Sequence, residues 1–442
     1  MGIVLLILAG VIEVGLAVHS FVTKSSQKRV RNWVRISELI AFVIFLIIVH
    51  WSFRWGPLAV LLFIFGIIAV ISLLRNRQEK NYRPVGNIFK AVGVLLLIAV
   101  ALLPAIIFPQ HKAVATTGEY DVTTILFTLT DDNRIETFTA TNENRKVNLE
   151  FWYPKNVDGK LPLIVFSHGA YGIKASNTST FQNLASNGYV VVSIDHPYHS
   201  LFTKDEDGNV TLADTFFMQE VEDVNDGLYD EEEVFNLEQK WLKLRTDDIN
   251  FVIDTIKQNA NDEASDEVYR LIDTNSIGLI GHSLGGAAAA KLGRDRNDIA
   301  AVINLDADLL GEVVGFEDGK PVINKEIYPV PLLSVYSDTM KNLMDGVTDP
   351  EVVIPQQYIS DTAPDAFEVY IQGTNHLSLT DLPLVSPFLV KVINSSVEKD
   401  TGSDDADKYK VLETMNEIVL QFFDSYVKGE GHFESAGTYK NL

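Results

Sequence analysis

The sequence predicts an α/β domain with a mostly parallel central sheet, preceded by four transmembrane α-helices. Three observations predict it. Four long apolar stretches fill the first 110 residues, and short runs rich in Val, Ile and Leu then alternate with helical stretches. One such run, Ile277-Gly278-Leu279-Ile280, leads straight into Gly281-His282-Ser283-Leu284-Gly285-Gly286 and an alanine-rich segment.

The apolar stretches lie at about residues 2–22, 35–53, 57–74 and 88–108. At 1.5 Å rise per helical residue each can cross a hydrocarbon core of ~30 Å. Residues 1–110 are therefore expected to form a four-helix transmembrane region, and residues 111–442 one large α/β domain with insertions. Within it, Val147-Asn148-Leu149-Glu150-Phe151-Trp152-Tyr153 alternates like an early antiparallel strand. Leu161-Pro162-Leu163-Ile164-Val165-Phe166-Ser167 and Gly188-Tyr189-Val190-Val191-Val192-Ser193-Ile194 are continuous apolar runs, as buried parallel strands require. The net-acidic tract from Lys204 to Glu238 interrupts the alternation and is expected to be an insertion at about 200–240, a lid at the mouth of the site or a solvated excursion. A helical segment from Trp241 to Ile256 leads towards the serine turn, and strands at Ala300 to Leu305, Pro331 to Tyr336 and Phe367 to Ile371 follow it.

Gly281-His282-Ser283-Leu284-Gly285 has the form of a nucleophile elbow, the strand-to-helix turn of the α/β-hydrolase fold. A serine there sits in a strained backbone, and small residues two before and two after it avoid collision. The next helix, starting with Ala287 to Ala290, can pack closely and brings free N–H groups and a positive dipole to the serine. A serine needs a base, an acid and oxyanion donors. The strand ending in Ser167 runs into His168-Gly169-Ala170-Tyr171-Gly172, a turn that can aim a backbone N–H at the site, so Ala170 and Leu284 are the expected oxyanion donors. His168 and His282 are expected to be structural. This fold orders its triad serine, acid, histidine, and His376 and His432 follow Ser283. His376, in the loop Gln372-Gly373-Thr374-Asn375-His376 after a strand, is the expected base, and His432 a solvated tail residue. Asp306 and Asp338 both follow strands and are both candidate acids, with Asp308 a third. His196 and His199, in Asp195-His196-Pro197-Tyr198-His199, lack zinc-site spacing and are expected to serve loop structure or line the pocket.

In these segments the chain resembles the plasma-type platelet-activating factor acetylhydrolases and their bacterial α/β-hydrolase relatives. The matching motifs are Pro162 to Gly169, Gly281 to Gly286, Leu305-Asp306-Ala307 and Gly373 to His376, and the first 110 residues are not covered. The resemblance implies Asp306 as the acid, with Asp338 as the alternative, and hydrolysis of a short or oxidised acyl chain on a phospholipid or related carboxylic ester without a metal.

Residues 1–110 carry 11 basic and 3 acidic side chains, net +8, whereas residues 111–442 carry 25 and 56, net −31. Such acidity argues against nucleic acid and anionic surfaces as partners and favours neutral or zwitterionic esters. Lys24, Lys28, Arg29, Arg31 and Arg35 follow the first span, and Arg75, Arg77, Lys80, Arg83 and Lys90 surround the connection of the third to the fourth. Only Arg54 lies between the second and third. By the positive-inside rule the N-terminus and the large domain are expected on the extracytoplasmic side of a cell membrane, with lipids around residues 1–110. Trp51 and Trp55 suit the outer interface. A cleaved signal peptide is the alternative for the first span, but its basic residues come after the apolar run, and Met1-Gly2 lacks the residues of a myristoylation signal. Glu13, inside that span, is expected to be neutral and hydrogen-bonded within the bundle. The chain has no cysteine, which excludes disulfides, thiol nucleophiles and cysteine zinc sites; no cofactor is expected. Two further classes share these features: a peptidase or acyltransferase with the same triad, and a non-catalytic hydrolase-like domain on a functional membrane bundle.

Overall fold

The structure, a computed structural model, describes residues 1–75, 82–317, 319–396 and 402–442. Arg77 and Lys80, two of the orienting charges, lie outside the described residues. The chain divides into two compact units, Met1–Lys112 with Val385–Lys391, and Ala113–Leu384 with Val392–Leu442.

The first unit holds α1 (Gly2–Thr23), α2 (Lys28–Val49), α3 (Gly56–Leu74) and α4 (Pro84–Ile107). All four, α3 together with the short 3-10 turn before it, are long and apolar enough to cross a membrane. Pro57 and Pro84 start α3 and α4, where a missing N–H costs no intrahelical bond. Two expectations need correction. Helix α2 begins at Lys28, not near residue 35, because Lys and Arg are good helix formers and extend it beyond its apolar part. Trp55 is buried in the bundle core, its ring edge-on to Phe45 at 5.1 Å, because the 3-10 turn Phe53–Trp55 folds it inward; Trp51 is exposed. Glu13 is buried and accepts a hydrogen bond from Arg35, which also holds Glu38 at 2.7 Å, so its partner is a guanidinium.

The second unit opens with two long antiparallel strands, β1 (Val122–Ile135) and β2 (Asn144–Pro154). β3 (Leu161–Ser167), α5 (Thr178–Ser186) and β4 (Val190–Asp195) form a parallel crossover. The insertion that follows consists of the hairpin β5 (Phe202–Lys204) and β6 (Val210–Leu212), then α6 (Thr215–Asn225), and it runs into α7 (Glu231–Asn259). A capping box of Asp230 and Glu233 starts α7 about ten residues before the expected Trp241. After α8 (Glu267–Arg270), β7 (Ile272–His282) enters α9 (Leu284–Asp295) through Ser283. Next come β8 (Ala301–Leu305), the hairpin β9 (Val313–Glu317) and β10 (Lys320–Ile323), β11 (Leu332–Tyr336), α10 (Asp338–Gly346), α11 (Pro355–Thr362) and β12 (Ala366–Ile371). α12 (Leu382–Val385), α13 (Pro387–Ser396), α14 (Lys408–Phe423) and β13 (Gly437–Tyr439) complete the chain.

The main sheet runs β1-β2-β4-β3-β7-β8-β11-β12-β13, parallel from β4 onwards. Both of its faces are covered, which is why its central strands read as unbroken apolar runs. Leu163, Val165, Leu279 and Val302 pack with Ile249, Val252 and Ile253 of α7 and the alanines of α9. The alternate residues Ile164, Phe166, Ile280 and Ile303 pack with Phe181 of α5 and Phe422 and Phe423 of α14. The chain reverses direction across the sheet between β3 and β7, and in such sheets ligands bind beyond the strand C-termini at that switch.

Candidate active site

Ser283 has φ 53° and ψ −130°, a strained conformation for a non-glycine residue. The sequence forces it there by removing side chains around the turn. A Cβ on Gly281 would lie 2.2 Å from the carbonyl oxygen of Gly285, and one on Gly285 would lie 2.0 Å from that of Ser167. The serine precedes the first residue of α9, Leu284, so the Leu284 N–H has no intrahelical acceptor. Gly169 approaches so closely that a Cβ there would meet the Ser283 Cβ at 2.9 Å, which brings the next residue, Ala170, to the serine. Neither the Ala170 nor the Leu284 N–H donates to a group among the described residues.

Of the candidate acids, Asp306 meets the histidine: its Oδ2 lies 2.8 Å from Nδ1 of His376. Asp306 is buried at the end of β8, with φ 54°, and accepts from the Ser337 N–H at 2.6 Å and the Ser337 hydroxyl at 2.8 Å. His376 Nδ1–H donating to this carboxylate leaves Nε2 as the ring's acceptor. The histidine loop is held by Asn375, whose side chain accepts from the N–H groups of Leu377 and Ser378, and by Thr339, whose hydroxyl accepts from the His376 N–H at 3.2 Å. Asp338 binds elsewhere: it accepts from the Tyr370 hydroxyl at 2.6 Å, the Gly373 N–H at 3.1 Å and the Ser403 hydroxyl at 2.7 Å. Asp308 takes a bond from Gln356 at 3.1 Å, and His432 is exposed in the tail.

Ser283, Asp306, His376, Ala170 and Leu284 line one cavity of about 330 Å³, at the small end of ligand pockets. Val221, Val224 and Trp241 form part of its wall, so the insertion and the start of α7 border the site. Glu238 and Asp308 also line it. Burial and the neighbouring Asp308 push the Glu238 carboxyl up to about 8, and burial raises Asp308.

The other histidines are braces. His282 is buried and its Nε2–H donates to the His376 carbonyl at 2.9 Å; burial and the adjacent His376 ring push it down to about 3. His168 bonds the Ser200 hydroxyl at 2.8 Å and is held well below its ordinary pKa by burial and by Arg245. His196 joins a second serine–histidine–aspartate chain: Nε2 lies 2.9 Å from the Ser167 hydroxyl, and Nδ1 lies 3.0 Å from Asp248. That chain is fully buried, Asp248 is forked by Arg145 at 2.7 and 2.7 Å, and none of its members lines the cavity. It therefore ties β3, the loop after β4 and α7 together. His199 stacks on Phe217 at 3.8 Å and lies beside Arg245, so both histidines serve structure.

The sequence reading missed Arg245 and Asp248. Their signal is visible afterwards: they fall on the apolar stripe of α7, between Leu242 and Ile249, where charged side chains must find buried partners.

A central parallel sheet carrying a strained serine at the β7–α9 turn and an aspartate–histidine pair on later strand ends defines an α/β-hydrolase. The chain belongs to the platelet-activating factor acetylhydrolase, isoform II, family, whose profile matches residues 133–438, beyond the four apolar helices. It is 22% identical over 308 residues to the platelet-activating factor acetylhydrolase of Bos taurus, covering 64% of each chain. To that of Canis lupus familiaris it is 29% identical over 291 residues, covering 62% of this chain and 59% of the relative. The chain thus spans 59 to 64% of the length of these relatives. Its fold is similar to that of a ferulic acid esterase from Streptomyces cinnamoneus, with a TM-score of 0.53 and 19% identity, covering 74% of this chain and 97% of that one.

Proposed function

We propose that the protein is a membrane-anchored serine esterase that hydrolyses short-chain or phospholipid-derived acyl esters through an acyl-serine intermediate. The observation that carries this reading is the His376–Asp306 bond in a cavity shared with the strained Ser283 and two backbone donors. His376 Nε2 takes the Ser283 proton as the hydroxyl attacks the ester carbonyl, and the N–H groups of Ala170 and Leu284 bind the oxyanion. His376 then protonates the leaving alcohol, and water, deprotonated by the same nitrogen, releases the acid. Asp306 keeps the imidazole oriented and stabilises its charged form. The name of the Bos taurus relative and that of a probable 1-alkyl-2-acetylglycerophosphocholine esterase, 25% identical over 154 residues, favour an acetyl ester of a glycerophosphocholine, and a small cavity walled by Val221, Val224 and Trp241 suits a short acyl group. Neither lysine nor arginine lines the cavity among the described residues, so no cationic side chain there would pair with an anionic ester, which favours neutral or zwitterionic ones.

The test is fluorophosphonate labelling of the detergent-solubilised full chain, with a p-nitrophenyl ester series. Labelling with turnover falling from acetyl to long acyl chains is expected. A folded protein that neither labels nor turns over esters would overturn the reading; faster cleavage of matched amides, or acyl transfer to an added alcohol in preference to water, would replace it with a peptidase or acyltransferase.

The anchor is proposed to be α1 to α4, with the hydrolase unit outside. The chain's lack of cysteine makes single-cysteine probes clean. In intact cells a membrane-impermeant maleimide should label Glu143→Cys, whereas Lys24→Cys should label only after permeabilisation. The reverse pattern would invert the topology.

A further inference from the structure

We infer that Arg245 is a positioning residue of the oxyanion hole, a role that rests on the serine-esterase reading above. Arg245 is a fully buried arginine on α7, and its guanidinium grips two consecutive carbonyls of the turn after β3: His168 O at 2.6 Å from Nη1 and Gly169 O at 3.1 Å from Nη2. The Gly169 carbonyl and the Ala170 N–H belong to one planar peptide unit, and in a trans unit they point in opposite directions. Holding the oxygen on the guanidinium therefore aims the N–H away from Arg245, and Ala170 lines the cavity beside Ser283. The turn bond from the Gly172 N–H reaches the same oxygen at 3.1 Å, and Tyr171, at φ 57°, donates to His199 O at 3.2 Å. The His168 Nδ1–H also donates to the Gly169 oxygen, at 2.7 Å, and the guanidinium Nε reaches Nδ1 of His199 at 3.4 Å. A cationic donor on the carbonyl also polarises the amide and strengthens its N–H as a donor. The group is buried, so water cannot replace it, and only a planar fork spans both carbonyls; lysine can serve one.

The experiment measures kcat and KM per active site, counted by fluorophosphonate titration, for the full-chain wild type, Arg245→Lys and Arg245→Met. Arg145→Lys serves as a control: Arg145 loses its fork on Asp248 in the neighbouring buried network without touching the oxyanion turn. Loss of aim at one donor is expected to lower kcat by about 10- to 100-fold with KM within about 3-fold. Affinity for a trifluoromethyl ketone, which forms a tetrahedral adduct, should fall in parallel with kcat/KM. Arg145→Lys should lose thermal stability and keep its kcat. Wild-type kcat per titrated site in both Arg245 variants overturns the positioning role, as does an equal loss in Arg145→Lys. Counting sites restricts the comparison to folded molecules, so Arg245→Lys alone decides if Arg245→Met fails to fold. A wild type that takes no phosphonate removes the esterase reading first, a result distinct from either.

Discussion

Ser283→Ala is expected to lower kcat for an acetyl ester by about 10³- to 10⁶-fold and to abolish fluorophosphonate labelling while leaving the melting temperature nearly unchanged. The hydroxyl makes no capping bond to α9, and the turn is set by the backbone of Gly281, Gly285 and Ser167, so alanine retains the elbow. His376→Ala should lose activity on the same scale, and the double variant little more, because attack and proton removal are one event. Comparable losses in both variants with additive effects in the double would mean that the two residues act separately. Retained turnover in Ser283→Ala would exclude the acyl-serine route.

The second large effect separates the two acids. Asp306→Asn should lower kcat by about 10⁴-fold in a folded protein, because a carboxamide N–H offered to Nδ1 of His376 selects the wrong imidazole tautomer. Asp338→Asn should leave kcat within a few-fold. Asp338 accepts three bonds that brace Tyr370, Gly373 and Ser403, and losing acceptor capacity there costs about 1–3 kcal/mol of stability. Steady-state kinetics with thermal melts on both variants decide it: activity lost only in Asp338→Asn would remove Asp306 as the acid.

Much of this architecture is legible before any coordinates. The four apolar helices and the central strands announce themselves because burial on all sides demands continuous apolar residues. β1 does not, because as an edge strand with a half-solvated outer face it carries a mixed, Thr- and Asp-containing run. α14 carries a stripe at helical spacing, Val411, Leu412, Met415, Ile418, Val419, Phe422 and Phe423, with Asn416 the one polar residue among its buried positions.

By itself the sequence determined the serine turn, its strand and helix, the glycine turn after β3 and the loop carrying His376, because those are local demands on small residues and on strand ends. It left Asp306 and Asp338 as two aspartates following two strands. Only the sheet order β7-β8-β11-β12 gives them different partners, setting Asp306 against the His376 loop while Asp338 turns to Tyr370 and Gly373. The buried roles of His196, Arg245 and Asp248 were likewise decided by tertiary structure, since their partners lie 29 to 103 residues away along the chain. A side chain's identity limits which bonds it can make, but the packing of distant elements selects the partner, and that selection carries no local signature.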